Sequence, residues 1–362
     1  MRAELVEGMS TMDGEEPPKR SEIKVVIYGV GEIGGRIAKL LLKKKGIRVV
    51  GAIDMSPRKV GKDLAELLGL EEPTGVTVSK DAAKVISETK PDIVVHATTS
   101  FLKDAYSQIL TAVKHGANVV STTEELSYPY IVDPELAEKL DSAAKEHGVT
   151  VLGTGINPGF LMDTLAITLT AVCQEVYGIE VRRVMNAATR RVPFQKKIGA
   201  GLTVEEFTEK IRTGAITGHV GLEQSIAMIA AALGWKLDKI DVEPVKPVVA
   251  TKRVESQAVK VEAGRVAGLR QQAHGIMDGK KVITLDFQAY IGAEEEYDSV
   301  TIKGVPEVHE KISPCVHGDL GTVAVIVNMI PKVIAASPGL KTMKDLPVPS
   351  ATPEDMRTYL KR

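Results

Sequence analysis

Two rhythms of apolar positions divide the chain. In the first, short apolar runs alternate with amphipathic stretches. Ile23–Tyr28 gathers Ile23, Val25, Val26 and Ile27 into a β-branched cluster, the composition of a parallel strand buried on both faces. A helical spacing follows through Leu42. The unit then recurs, with strands predicted at Arg48–Ile53, Ile93–His96, Asn118–Ser121 and Thr150–Gly153. Helical segments fall between them at Lys59–Leu68, Ala82–Ser87, Tyr106–His115 and Pro134–His147. Strands alternating with helices imply a parallel, doubly wound sheet.

The second rhythm begins after Gly155. A strand is predicted at Val181–Ala187 and helices at Val204–Arg212 and Leu222–Leu233. Strands then follow one another at Val249–Val254, Val259–Val261, Arg265–Gly275, Lys281–Tyr290 and Asp298–Lys303. Consecutive strands predict a mostly antiparallel sheet and an α+β unit. The apolar helical stretch Asp319–Ile334 is expected to pack back on the first unit.

Composition narrows the class. A chain of 362 residues suggests about two domains, and 44% hydrophobic with 26% charged residues is ordinary for a globular protein. Lys+Arg 46 against Asp+Glu 47 leaves a net charge of -1, without the basic face expected of a nucleic-acid binder. Two cysteines build neither a disulfide framework nor a four-thiolate zinc site, so a reducing, cytoplasmic setting is expected. No uninterrupted apolar run reaches the ~20 residues of a membrane span. Met1–Arg20 is acidic and lacks the apolar core of a signal peptide. Asn occurs only at 118, 157, 186 and 328, which hints at a thermophilic source. Aromatic residues are 4%, so the core must be aliphatic. The rings beside candidate loops (Phe101, Tyr128, Tyr130, Phe160 and Phe194) are then expected to serve the cleft.

Chemistry enters at Gly29-Val30-Gly31-Glu32-Ile33-Gly34. The motif follows a strand, opens a helix and precedes a second strand that ends at Asp54, the arrangement of a dinucleotide fingerprint. Gly29 permits the tight turn, Gly31 a close approach to pyrophosphate, and Gly34 close packing of helix on strand. The backbone N–H groups near Glu32 and Ile33 face the phosphates. Asp54 would accept from the adenosine ribose and favour NAD, while Arg58 nearby would attract the 2′-phosphate of NADP. The expected fold is therefore a Rossmann-type doubly wound parallel sheet with a second α+β domain on a mostly antiparallel sheet. The expected limits are a tail (1–21), the dinucleotide-binding domain (22–155), a substrate and dimerisation domain (156–312), and a returning helix with tail (313–362).

Candidates for the reacting end lie where strands end, since open α/β sheets bind ligands there. Ala97, Thr98 and Thr99 are placed to meet ribose and nicotinamide, although such hydroxyls also cap helices. Ser121-Thr122-Thr123-Glu124-Glu125 adds Thr122 to the cofactor set and brings two carboxylates to the same edge. A half-buried Glu there has a raised pKa suited to acid–base work near neutrality. An extended segment turns only one of an adjacent pair inward, and both can also be solvated. Asn157, in Gly153–Asp163, offers an amide to nicotinamide or substrate, while Asp163 suits a cap on the next helix. Arg182, Arg183, Arg190 and Arg191 could clamp a carboxylate or form a solvated strand edge. Glu294, Glu295 and Glu296 could meet an ammonium or form a solvated turn, and His274 could line the cleft. Cys315-Val316-His317-Gly318-Asp319 lacks metal-ligand spacing, so no metal is assigned.

These residues together resemble the 2,4-diaminopentanoate dehydrogenases and native amine dehydrogenases, whose nucleotide domain is similar to that of dihydrodipicolinate reductase. The resemblance runs from about Ile23 to about Pro347. It is carried by Gly29–Gly34, Ile53-Asp54 with Lys59–Asp63, His96–Thr99, Ser121–Leu126 with Tyr128-Pro129, Gly153–Asp163 and His317–Asp319. It implies NAD(P)-linked oxidative deamination of an amine or diamino acid and, in reverse, reductive amination of a ketone with ammonia. It implies a glutamate acid/base, which matches Glu124 with Glu125 as the close second. Asn157 and Phe160 match positions near the substrate, and a homodimer is expected. No catalytic Lys stands in the matched segments. A dihydrodipicolinate reductase proper carries a paired-histidine motif, and no His-His pair occurs here. An amino-acid dehydrogenase of the same group and a non-catalytic nucleotide sensor are the other readings.

Overall fold

Val25, Val26 and Ile27 are fully buried in β1 (Ile23–Tyr28), as a strand covered on both faces requires. The computed structural model describes residues 21–190 and 192–360. The expected tail through residue 20 and Arg191 lie outside the described residues. Strands β2 (Ile47–Ile53), β3 (Val78–Ser79), β4 (Ile93–His96), β5 (Asn118–Ser121) and β6 (Thr150–Gly153) follow β1. Between them run α1 (Glu32–Leu41), α2 (Leu64–Leu68), α3 (Ala82–Thr89), α4 (Leu102–Lys114) and α5 (Pro134–Glu146).

The chain then forms α6 (Thr164–Leu169), β7 (Glu175–Asn186), α7 (Val192–Lys197), α8 (Val204–Arg212) and α9 (Leu222–Leu233). Next come β8 (Lys239–Val242), β9 (Lys246–Val249), β10 (Val254–Glu255), β11 (Lys260–Val261), β12 (Val266–Met277), β13 (Lys280–Tyr290), β14 (Tyr297–Val305) and β15 (Val308–Ile312). It closes with α10 (Gly318–Ala335) and β16 (Gly339–Lys341).

The first sheet has seven parallel strands in the order β16-β6-β5-β4-β1-β2-β3. The second runs β15-β14-β7-β13-β12-β8, with β9 also on β12. It is antiparallel except for the β13–β7 pair. As the apolar run predicts, α10 returns to the first sheet. It packs on α1 and β5 through Ile326, Val327, Met329, Ile330 and Val333, which are all fully buried. Burial on this scale contributes about 1.5–3 kcal/mol for each large side chain.

The structure departs from the expected elements where polar groups intervene. The helix expected over Lys59–Leu68 starts only at Leu64. Asp63 caps it by accepting from the Ala65 N–H, and Gly61 upstream holds φ 86°. Val249–Val254 is not one strand. The chain leaves β9 at Val249, and Ala250 turns inward to pair its N–H with the Arg265 carbonyl. The short edge strands β3, β8, β15 and β16 carry too few apolar residues to register as a pattern.

Candidate functional site

A cleft of about 450 Å³ lies between the C-terminal ends of the first sheet's strands and one face of the second sheet. Its first wall is the glycine turn after β1. Gly29 holds φ 97°, and a Cβ there would sit 2.3 Å from the Ala97 carbonyl oxygen. A Cβ on Gly34 would lie 1.8 Å from the Gly29 oxygen, so α1 can approach the turn only with glycine at this position. Gly31 caps α1 without a side-chain bond and has open space beside it. The helix start is thus free to meet an anion. Gly31, Glu32 and Ile33 line the cleft, while Gly29, Val30 and Gly34 shape it from behind.

Asp54 closes the end of β2. Its carboxylate accepts from Val30 N (2.9 Å), Ser56 N (2.8 Å) and Lys59 Nζ (2.8 Å). Burial opposes its charge, but Lys59 and the two backbone donors outweigh this and hold its pKa below the ordinary value. Arg58 is exposed on the same loop. At the end of β4, the buried His96 joins Ser121 Oγ through Nδ1 (2.8 Å) and Gln108 through Nε2 (2.9 Å). Burial lowers its pKa to about 4, so it stays neutral and pins β4 to β5. Ala97, Thr98, Thr99 and Thr122 line the cleft just above it.

The two carboxylates after β5 are separated by a tight 3-10 turn over Glu124–Ser127. Glu125 turns away, and its Oε2 accepts from the Leu102 N–H at 2.7 Å. It thereby caps α4, whose own N-cap Phe101 offers no side-chain acceptor. Glu124 lines the cleft. Burial raises its pKa, against its own backbone N–H, the Ser100 hydroxyl and the Lys197 charge. Glu125→Ala is expected to cost about 1 kcal/mol as a lost helix cap. Urea unfolding measures this, and an unchanged midpoint would contradict the capping role.

The loop after β6 is tied from below. Asp163 is fully buried and accepts from Gly159 N (2.7 Å), Thr164 N (2.5 Å) and Ser225 Oγ (2.8 Å), so it caps α6 as expected. The loop holds Asn157 in the cleft wall, with Nδ2 donating to Met162 Sδ (3.0 Å) and Oδ1 buried without a partner.

Several expected residues lie elsewhere. His274 does not line the cleft. It is buried on β12, with Nδ1 bonded to Thr284 Oγ1 (3.1 Å) and Nε2 to Glu243 (3.0 Å), because strand alternation puts it on the sheet face opposite Gln271 and Phe287. Phe160 and Tyr128 pack on the aliphatic core, away from the cleft lining. Of the five rings singled out, only Phe194 lines the cleft. Glu294 and Glu295 pair with Lys252 and Lys311, and Glu296 accepts from the Asn186 N–H.

The second wall was not evident from motifs. Arg183, Met185, Phe194, Lys197, His219 and Phe287 line it, with Arg190, Asp319 and Thr322 at its rim. Arg183 is buried and bonds Asp298 at 2.7 Å and the Val316 carbonyl. Arg182, one residue away, faces the exposed side of β7. The alternation of a strand shows that one of the two points inward, but not which one. Arg190 stacks over the Phe194 ring at 5.5 Å and lies 3.6 Å from Asp319. Nothing in the local pattern marks His219.

Similarity to known proteins follows the same division. A family model of the 2,4-diaminopentanoate dehydrogenase C-terminal domain matches residues 160–362. A model of the dihydrodipicolinate reductase N-terminus matches residues 23–153. The chain is 40% identical over 347 residues to the 2,4-diaminopentanoate dehydrogenase of Acetoanaerobium sticklandii, covering 94% of this chain and 97% of that protein. It is 24% identical over 350 residues to the amine dehydrogenase of Streptomyces virginiae, covering 90% and 96%. The structure of the amine dehydrogenase from Mycobacterium smegmatis superposes with a TM-score of 0.79 at 32% identity, covering 92% of this chain and 98% of that one.

Proposed function

Because the chain belongs to the 2,4-diaminopentanoate dehydrogenase family, oxidoreductases acting on amine donors, we propose that it oxidatively deaminates a 2,4-diamino acid with NAD, Glu124 being the acid/base. The reverse direction is reductive amination of the corresponding ketone with ammonia. The observation that carries this reading is Glu124, a half-buried carboxylate of raised pKa beside the strand ends that would hold a nicotinamide.

The residues present fit a dinucleotide. The uncapped start of α1 would take the pyrophosphate, and Asp54 the adenosine ribose. Ala97, Thr98, Thr99, Thr122 and Asn157 would border the nicotinamide. When bound, that ring supplies the hydride acceptor, and the protein supplies orientation and proton handling. Glu124 as carboxylate takes a proton from the substrate nitrogen, since an ammonium cannot release a hydride from its carbon. After passing that proton to solvent, the same carboxylate takes a proton from the water that attacks the oxidised carbon and returns it to the nitrogen, which leaves as ammonia. A group with a pKa raised toward neutrality serves both steps.

A diamino acid fits better than a simple amine because of the charge on the second wall. Arg183 is neutralised by Asp298, and Arg190 lies beside Asp319. The Lys197 ammonium makes no ion pair among the described residues and reaches the cleft near Glu124. Lys197, with Arg190 at the rim, would receive the substrate carboxylate. The test is NADH formation with 2,4-diaminopentanoate against 2-aminopentane. Turnover of the simple amine alone would overturn the diamino-acid reading.

The cofactor preference rests on Asp54, whose carboxylate would repel a 2′-phosphate. NAD is expected to bind more tightly than NADP. Asp54→Ala is expected to weaken NAD by about 10-fold or more through loss of a charged acceptor. Fluorescence titration with both reduced cofactors measures this, and tighter NADPH binding by the wild type would contradict it. A homodimer, carried from the resemblance, and a cytoplasmic setting, expected from the cysteine usage, complete the proposal.

A further inference from the structure

The cleft contains two buried acceptors to which the mechanism above gives no hydrogen bond. Asn157 Oδ1 and His219 Nε2 are both shut off from solvent without a hydrogen-bond partner, and both residues line the cleft. Thr154 Oγ1 is a third unpaired atom, but it lies against the Gly159 backbone. Buried polar atoms are normally satisfied, so a pair left open in one cleft points to a donor on a ligand.

His219 is held for this purpose. Its ring stacks on Phe287 with centroids 4.5 Å apart and planes 7° from parallel. Its backbone N–H donates to Gln271 Oε1 at 2.8 Å. The ring also meets the Asn157 carbonyl. With Nδ1 donating to that carbonyl, the Nε2 lone pair stays open. Burial, helped by the Arg183 and Lys197 charges, lowers the ring's pKa to about 3, so the ring remains an uncharged acceptor.

We propose that Asn157 Oδ1 and His219 Nε2 form an uncharged two-acceptor subsite for the second, non-reacting ammonium group of the substrate. The proposal rests on the diamino-acid reading above. Two lone pairs repel a carboxylate and take a hydrogen-bond donor, for which an ammonium N–H is suited. His219 and Phe287 stand on the second-sheet wall, across the cleft from the glycine turn and the Ala97–Ser100 loop. A dinucleotide on the first wall leaves this side to the substrate. Arg183 is paired with Asp298, and the substrate's own carboxylate would face Lys197, which offsets the positive charge that both cations direct at the His219 ring.

The test compares wild-type and His219→Phe enzyme on 2,4-diaminopentanoate and on 4-aminopentanoate, which lacks the second nitrogen. The wild type is expected to favour the diamino acid in kcat/KM by about 10- to 100-fold, the range for a hydrogen bond to a charged group. In His219→Phe that ratio is expected to fall toward one, and in His219→Gln, which keeps an acceptor, to fall less. A wild-type ratio near one overturns the proposal whether or not the variants fold. An unchanged ratio in His219→Phe also overturns it. So does a rise in KM for NAD with both substrates, because the pair would then serve the nicotinamide carboxamide. Wild-type enzyme that turns over neither compound overturns the diamino-acid reading itself, an outcome distinct from a ratio near one.

Discussion

Glu124→Gln is expected to lower kcat for oxidative deamination by about 10²- to 10⁴-fold, the usual contribution of a positioned acid/base. NAD affinity should change little, because Glu124 takes no part in the glycine turn or the Asp54 site. The pH profile supplies a second check. Deamination needs the carboxylate form, so activity is lost as pH falls through the Glu124 pKa. Burial raises that pKa above its ordinary 4.5, so the acid limb of the wild-type profile should lie above that value. In Glu124→Gln the limb should vanish along with the rate. Steady-state kinetics across pH measure both effects. A variant that keeps the wild-type rate would remove Glu124 from the mechanism, and a rate lost in Glu125→Gln instead would contradict the placement of Glu125 under α4.

The largest expected loss of stability is at Arg183. Arg183→Leu would leave Asp298 buried without its partner, which typically costs about 3–5 kcal/mol. The loss should extend beyond the pair. Asp298 Oδ2 accepts from the Val316 N–H at 2.8 Å, and Arg183 bonds the Val316 carbonyl, so the pair fixes the approach to α10. Adding Asp298→Leu is expected to recover much of the stability, since an apolar pair removes the uncompensated charge. Urea denaturation of the single and double variants measures this. A single variant as stable as wild type would show that the pair does not hold the cleft floor.

The first wall was legible in the sequence and the second only through Arg183, Arg190 and Phe194, for a physical reason. The glycine turn, Asp54, Ala97–Thr99 and Glu124 each follow a strand and belong to local patterns of a few residues. Arg183, Lys197, His219 and Phe287 come from separate elements and meet only when the second unit folds, with β7 beside β13 and His219 stacked on Phe287. A local window could not decide between Glu124 and Glu125 either. The 3-10 turn and the Leu102 N–H settle their directions, and neither is encoded in the pair itself. Aromatic scarcity was a poor guide in detail. Phe194 faces the cleft, but Phe160 and Tyr128 pack on an aliphatic core, and Phe287 carries no local signal because it lies inside a regular strand.

The return of α10 to the first sheet has a mechanical consequence. The polypeptide passes between the two sheets twice, once after β6 and once before α10. The two passages lie side by side, where Ile156 N–H donates to Thr322 Oγ1 at 3.3 Å and Gly321 lies close against Ile156. Two adjacent crossings act as a door hinge with two knuckles. They resist twisting and sliding of one sheet over the other. Whatever enters the cleft must therefore come from a side that these crossings leave open.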